Sequence, residues 1–531
     1  MTRDELTILL KKTFPKSVGL AVTGSQANSA NYRNASDIDV LIFDTFNSDV
    51  TTIPLTIHEV FKVDCTVIPI LNIENVIINE FADTSNTAFN MLKGSAILHD
   101  PFGLVQEIKD IVAGLQLNTN HKILKLSESL NKKLNSFKKY FVRDLTEQER
   151  ILLIADFITL ITKIAVIDKN GWDAERLRKA KILSQEDPAF LNEIVGLFNL
   201  AIKSENLGFI NPFIDRFQST LKSVEKTETT SVTIDLSFPE FSLPVFCKGL
   251  LSQIMSEPLL KQCFLYFYAS PRKYYHIYKH HVSICFGLPD KEFYLPLIDA
   301  LNKKIANKVS GINFEQVFIL DKYDDDSVRM AIEEFRKILS HFWLSHLSQI
   351  ENDRRLIESV CLRLSYFIYR KLDFDLEDFC YLNNAMLQKW LLEMKDQRHA
   401  GGQQVIVKTG QIKIQRLNER YQKDKSRIFN TMRNHSGVVY SGMVDAVLYG
   451  QLEQAVSKMI EPVDLNWHSK LQPQSFYKFL QIKKSREADL YKILMEEIFQ
   501  MLNVPDDMKT SVVYFSFMAW SDEIYAKNEF N

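Results

Sequence analysis

Three apolar runs near the start of the chain carry the polar residues that most constrain it. Val18-Gly19-Leu20-Ala21-Val22 leads into Thr23-Gly24-Ser25, Asp37-Ile38-Asp39 opens Val40-Leu41-Ile42-Phe43, and Asp64 lies inside the run from His58 to Ile70. Each run reads as a short buried strand. A glycine directly after a strand lets the backbone close on a ligand, because it has no Cβ. If a helical turn follows, its free N–H groups face a phosphate. Residues i and i+2 of a strand share a face, so Asp37 and Asp39 point one way while Ile38 and Val40 point into the core. The same alternation sets Asp64 opposite Val63 and Cys65. If its strand pairs beside that of Asp39, three carboxylates converge. Such like charges repel unless a cation lies between them. Hard oxygen ligands with room for substrate phosphates suit Mg²⁺ (or Mn²⁺). In-line phosphoryl transfer with two metals needs this charge density.

The order Gly24-Ser25, then Asp37/Asp39 on a strand, then Asp64 on a later one resembles the nucleotidyltransferase superfamily, whose fold is that of DNA polymerase beta and kanamycin nucleotidyltransferase. Members often carry a second glycine shortly after the Gly-Ser; here Ser29 stands near that place. The resemblance covers roughly the first 110 residues, the size of a small domain. It implies a nucleotidyltransferase catalytic domain over residues 1–115, with a mixed sheet in an α/β fold. Asp37, Asp39 and Asp64 would be both the catalytic residues and the metal ligands, and Gly24, Ser25 and Ser36 would bind the nucleotide. The implied reaction moves an NMP from an NTP, with ATP the default donor, to an acceptor hydroxyl, and releases pyrophosphate.

A chain of 531 residues exceeds what one core supports. The formal charge of −2 supplies no basic field for nucleic acid as a main partner. Cysteines 65, 247, 263, 285, 361 and 380 form no Cys-x-x-Cys pair, which fits a reduced, cytoplasmic protein without a zinc framework. No apolar run is long enough to span a membrane, and the N-terminus has no apolar signal core.

Thr2 and Glu5 make a capping box, and Leu6, Leu9, Leu10 and Phe14 follow at helical spacing, so a first helix should pack on the sheet and stop at Pro15. Asn72 to Ala82 reads as helix. Asp100-Pro101-Phe102-Gly103 reads as a strand-to-helix connector. Lys93 has the length to reach a phosphate, although an exposed lysine is the simpler account. Residues 116–225 read as a helical bundle, either an acceptor-side wall or a structural cap. A polar stretch after Ser223 marks a boundary near 230, and 235–531 reads as a helix-rich α+β half.

Within that half, Phe264–Tyr268, His280–Phe286, a helix from Tyr294, the acidic run Tyr323-Asp324-Asp325-Asp326 and a helix from Val328 resemble the C-terminal domain of lantibiotic dehydratases, also called the thiopeptide-type bacteriocin biosynthesis domain. Val282, Ser283 and Ile284 stand where that family carries arginines. The resemblance implies engagement of a peptide. Pro271–His280 reads as a solvated loop; His276 and His280 have the i, i+4 spacing of a metal pair, but no Glu follows His276 as in His-Glu-x-x-His, so zinc is not expected. Gly401–Gln415 reads as a hairpin around Thr409-Gly410. Trp343, Trp390 and Trp467 read as core. Two further functions fit these features: a catalytically silent, nucleotide-sensing or antitoxin-like interaction protein, and a tailoring enzyme for bacteriocin-type peptides.

Overall fold

The computed structural model describes residues 1–27, 29, 32, 37–45, 50–82, 87–114, 145–170, 176–203, 210, 231–237, 249, 251–274, 277–287, 293–305, 311–315, 331–342, 354–393, 403–433, 446–460, 471–502 and 504–528. The chain opens with helix α1 (Arg3–Thr13), begun by the Thr2/Glu5 capping box and closed before Pro15. Strands β1 (Ser17–Thr23), β2 (Ile38–Asp44), β3 (Thr51–Ile57), β4 (Phe61–Pro69) and β5 (Ala96–His99) form one mixed sheet in the order β3-β4-β2-β1-β5. β2 and β4 run parallel, and the other neighbours are antiparallel.

Period-two alternation gives this sheet two faces. Leu20, Val22, Ile38, Val40, Ile42, Val63, Cys65 and Val67 pack against Leu6 and Leu10 of α1 and Phe14 just after it. Ala21, Leu41, Phe43 and Ile68 face the other way, toward helices α2 (Ile73–Ala82), α3 (Thr87–Lys93) and α4 (Leu104–Gly114). α4 comes so close to β1 that a Cβ on Gly19 would lie 2.2 Å from Val105 Cγ2, which is why a glycine stands there. The Asp100 carboxylate accepts from Gln106 N–H at 2.9 Å, so this turn caps α4 as the connector reading requires.

Helices Glu147–Asn170, Arg176–Glu186 and Pro188–Lys203 surround a core of their own, built on Ile154, Phe157, Ile161, Leu183 and Ile194. Strands β6 (Ser231–Ser237), β7 (Phe264–Tyr274), β8 (Ile277–Gly287) and β9 (Gly311–Glu315) make a second sheet, ordered β7-β8-β6-β9. Helix Tyr294–Ile305 and helical residues 331–342 accompany it. Helices Arg354–Lys371, Leu376–Glu393, Gln403–Arg433, Ala446–Ile460, Gln474–Phe479, Ser485–Met501 and Asp506–Asn528 complete an α+β architecture. The buried residues of these helices and of the α2–α4 face form one continuous apolar cluster. Polar ties reinforce it: Glu107 of α4 accepts from the backbone N–H groups of Gln474 and Ser475 at 2.7 and 2.8 Å, and Phe102 meets Phe479 edge to face at 5.3 Å.

Two sequence readings are corrected. Pro271–His280 is no loop: β7 and β8 pair through Pro271↔His280, Arg272↔Lys279, Lys273↔Tyr278 and Tyr274↔Ile277. The tyrosines and isoleucine of this stretch favour strand once a partner strand is supplied. Gly401–Gln415 forms no hairpin, since residues 403–415 lie in the 31-residue helix Gln403–Arg433. Trp390 is buried as expected, whereas Trp343, Trp467 and the acidic run 323–326 fall outside the described residues. Cys65, Cys263, Cys285, Cys361 and Cys380 are free and buried. Among the described residues, no helix is long and apolar enough to cross a membrane.

Candidate active site

One row of residues crosses the first sheet at the end where β1 stops and β2 and β4 begin. Thr23 on β1 is the register partner of Asp39 on β2, and Asp39 is the partner of Asp64 on β4. Adjacent strands lie ~4.8 Å apart, so the two aspartates are immediate neighbours. Both belong to the face of Ala21, Leu41 and Ile68, and both are half-buried. Parallel pairing of β2 with β4 follows from the crossover that places β3 outside β4, and it sets Asp64 beside Asp39 although 24 positions of chain lie between them.

β1 ends in a single 3-10 turn, Gly24–Gln26. Gly24 adopts φ +71°, in the region that favours glycine. A Cβ added there would lie 2.6 Å from Asp39 Oδ2. The glycine therefore gives the turn its hand and leaves room beside the carboxylate. A 3-10 turn leaves its first N–H groups without a partner inside the turn. Ser25 belongs to this turn. Asp37 stands exposed just before β2. Ser36 lies outside the described residues.

Two further residues hold this end of the sheet, and the motif reading missed both. Thr23, 3% exposed, donates its hydroxyl to the Met91 carbonyl at 2.6 Å and ties the last turn of α3 to the residue before Gly24. Arg3, in the first turn of α1, donates from Nε to the Ser29 carbonyl at 2.9 Å and from Nη2 to the Ala27 carbonyl, bracing the backbone that follows the turn. A threonine before Gly-Ser is a local signal; an arginine 24 residues before Ala27 gives none.

The electrostatics agree with a negative site. On the opposite face, burial and the Asp64 carboxylate push the Cys65 thiol up to about 12. Asp39 and Asp64 supply oxygen donors alone, which fits a hard divalent cation, and the missing Cβ at Gly24 keeps space open next to Asp39. Among the described residues, no group of three or more His, Cys, Asp or Glu side chains is gathered to hold a metal. The arrangement is a pair, Asp39 and Asp64, with Asp37 at the exposed rim.

No family model matches the chain, and no curated protein matches it. Among solved structures it is similar to a nucleotidyltransferase-like protein from Exiguobacterium sibiricum 255-15, at 13% identity and TM-score 0.29, covering 53% of this chain and 98% of that one. It is also similar to the pyridine synthase TbtD from thiomuracin biosynthesis, at 10% identity and TM-score 0.34, covering 55% and 98%. A third is the tRNA dependent lantibiotic dehydratase MibB from Microbispora sp. 107891, at 11% identity and TM-score 0.32, covering 56% of this chain and 28% of that one. Both resemblances read in the sequence are represented among these structures.

Proposed function

We propose that the chain is a metal-dependent nucleotidyltransferase that moves an NMP, AMP by default, from an NTP to a hydroxyl of a small-molecule, peptide or protein acceptor. The observation that carries this reading is the Asp39–Asp64 register pair beside a glycine turn where a Cβ would lie 2.6 Å from Asp39 Oδ2. Asp39 and Asp64, with Asp37 at the rim, would hold Mg²⁺ or Mn²⁺, which when bound offsets the triphosphate charge. The backbone N–H groups of Gly24 and Ser25 receive the outer phosphates, and Arg3 keeps the following backbone from drifting. Asp64 accepts hydrogen-bonding contact from the acceptor hydroxyl and draws off its proton. The acceptor oxygen bonds to the α-phosphorus, the bond from that phosphorus to the bridging oxygen breaks in line, and pyrophosphate leaves with the electron pair.

The test is incubation of the full chain with Mg²⁺, each labelled NTP and a panel of hydroxyl acceptors, peptides included. Pyrophosphate release that Asp39→Asn abolishes supports the reading. Full-rate release by Asp39→Asn sinks it. Nucleotide binding without release across the panel replaces it with the nucleotide-sensing protein.

A further inference from the structure

We propose that Lys93 grips the β- and γ-phosphates of the donor nucleotide, an inference that rests on the nucleotidyl-transfer reading above. Two independent anchors bring this lysine to the phosphate end of the sheet. Lys93 is the last residue of α3, and the Thr23 hydroxyl holds Met91, two residues earlier, at 2.6 Å through its carbonyl. Three residues later Ala96 begins β5 and pairs with Val22, the residue before Thr23. The α3–β5 connection is thus fastened on both sides to the last two residues of β1, directly before Gly24. Leu92 is fully buried and Met91 is packed on the core, so one face of the helix end is seated in the apolar cluster.

Lys93 itself is exposed, on a short stem of chain pinned at either end. Partial burial lowers its ammonium from the ordinary lysine value, so neighbouring protein has stripped part of its water. A cation already partly desolvated loses less hydration when it meets phosphate oxygens. On the near side lies the Asp39–Asp64 pair, which would hold the cation that offsets the triphosphate charge. Beside it the Gly24–Gln26 turn would meet the outer phosphates with neutral N–H groups alone, and Lys93, held at the adjoining α3–β5 connection, adds positive charge to them. The competing role is purely local: a basic residue in the last turn of a helix complements the helix dipole.

The experiment separates the two roles by what the nucleotide carries. Binding of α,β-methylene-ATP and of AMP is measured by calorimetry in Mg²⁺ for the wild type, Lys93→Met and Lys93→Arg, with the thermal midpoint of each. Loss of a charge-assisted phosphate contact is expected to weaken the triphosphate analogue by about tenfold to a hundredfold in Lys93→Met. AMP affinity should stay unchanged, and Lys93→Arg should recover most of the loss. An unchanged ratio of triphosphate to AMP affinity in Lys93→Met overturns the proposal, whatever its midpoint does. Absence of any nucleotide binding by the wild type overturns both this proposal and the reading it rests on.

Discussion

Lys492 Nζ lies 2.6 Å from Glu74 Oε2, joining residues 418 positions apart, both side chains under one-tenth exposed. The same ammonium donates to Gln472 Oε1 at 2.7 Å and faces Asp489 at 3.5 Å. Glu74 stands in α2, directly after the β4 strand of Asp64, so this contact clamps the site-bearing sheet to the C-terminal helices. Removing one member of a buried pair leaves an uncompensated charge, at a cost of roughly 3 kcal/mol. Glu74→Leu should therefore shift the urea midpoint markedly. The Lys303–Asp299 pair has the same 2.6 Å separation but exposed side chains. Lys303→Ala should leave the midpoint where it is, because solvent screens that pair.

Gly24→Ala tests the turn beside the candidate site. At φ +71° an alanine costs about 1–2 kcal/mol, and its Cβ would press on Asp39 Oδ2 from 2.6 Å. The expected outcome is a small loss of stability with a much larger loss of nucleotide transfer, since the carboxylate must turn aside. Equal, modest losses in both would mean that the glycine serves the turn alone.

Asp64→Asn has an expected effect of opposite sign on stability and function. Like charges on neighbouring strands destabilise by about 0.2–1 kcal/mol. Without divalent cations the variant should therefore melt slightly above the wild type. Adding Mg²⁺ should raise the wild-type midpoint and leave the variant where it was, and transfer should fall at least about 100-fold. Thermal melts with and without Mg²⁺ give the check.

Two buried thiols predict an alkaline decline. Burial, with Asp64 adding to it, pushes Cys65 from near 9 to about 12, and burial pushes Cys380 to about 11. Above pH 9 the unfolded chain releases these protons while the native protein keeps them. The unfolded state then binds fewer protons, so stability falls as pH rises. Each thiol adds a slope on the order of 1 kcal/mol per pH unit, ending near pH 11 for Cys380 and pH 12 for Cys65. Urea unfolding at pH 8 and pH 10 should show it, and the Cys65→Ala/Cys380→Ala double variant should make it shallower, the buried Cys361 thiol keeping the rest.

Readings that depended on local chemistry held. The Thr2/Glu5 box opens α1, helix α2 begins within a residue of its expected start, and the parity of Asp39 and Asp64 follows from the alternation around them. The failures came where a local pattern had two outcomes. Residues 403–415 alternate like a strand, yet Ile412 and Ile414 are 51% and 39% exposed on a helix. That helix is secured farther along, where Tyr421 bonds Asp522 at 2.9 Å and Arg420 bonds Glu358 at 2.6 Å. Once nucleated, a helix extends cheaply, and Gly410 costs it only about 1 kcal/mol.

By itself the sequence determined which side chains share a face, because a two-residue repeat sets that along any strand, and it placed a glycine where the backbone must turn without a Cβ. It could not decide which strands would lie side by side. The crossover that sets β4 parallel to β2, Arg3 reaching Ser29, and Glu74 meeting Lys492 all join residues distant along the chain. Such contacts form when whole faces are buried together, and no local propensity encodes them.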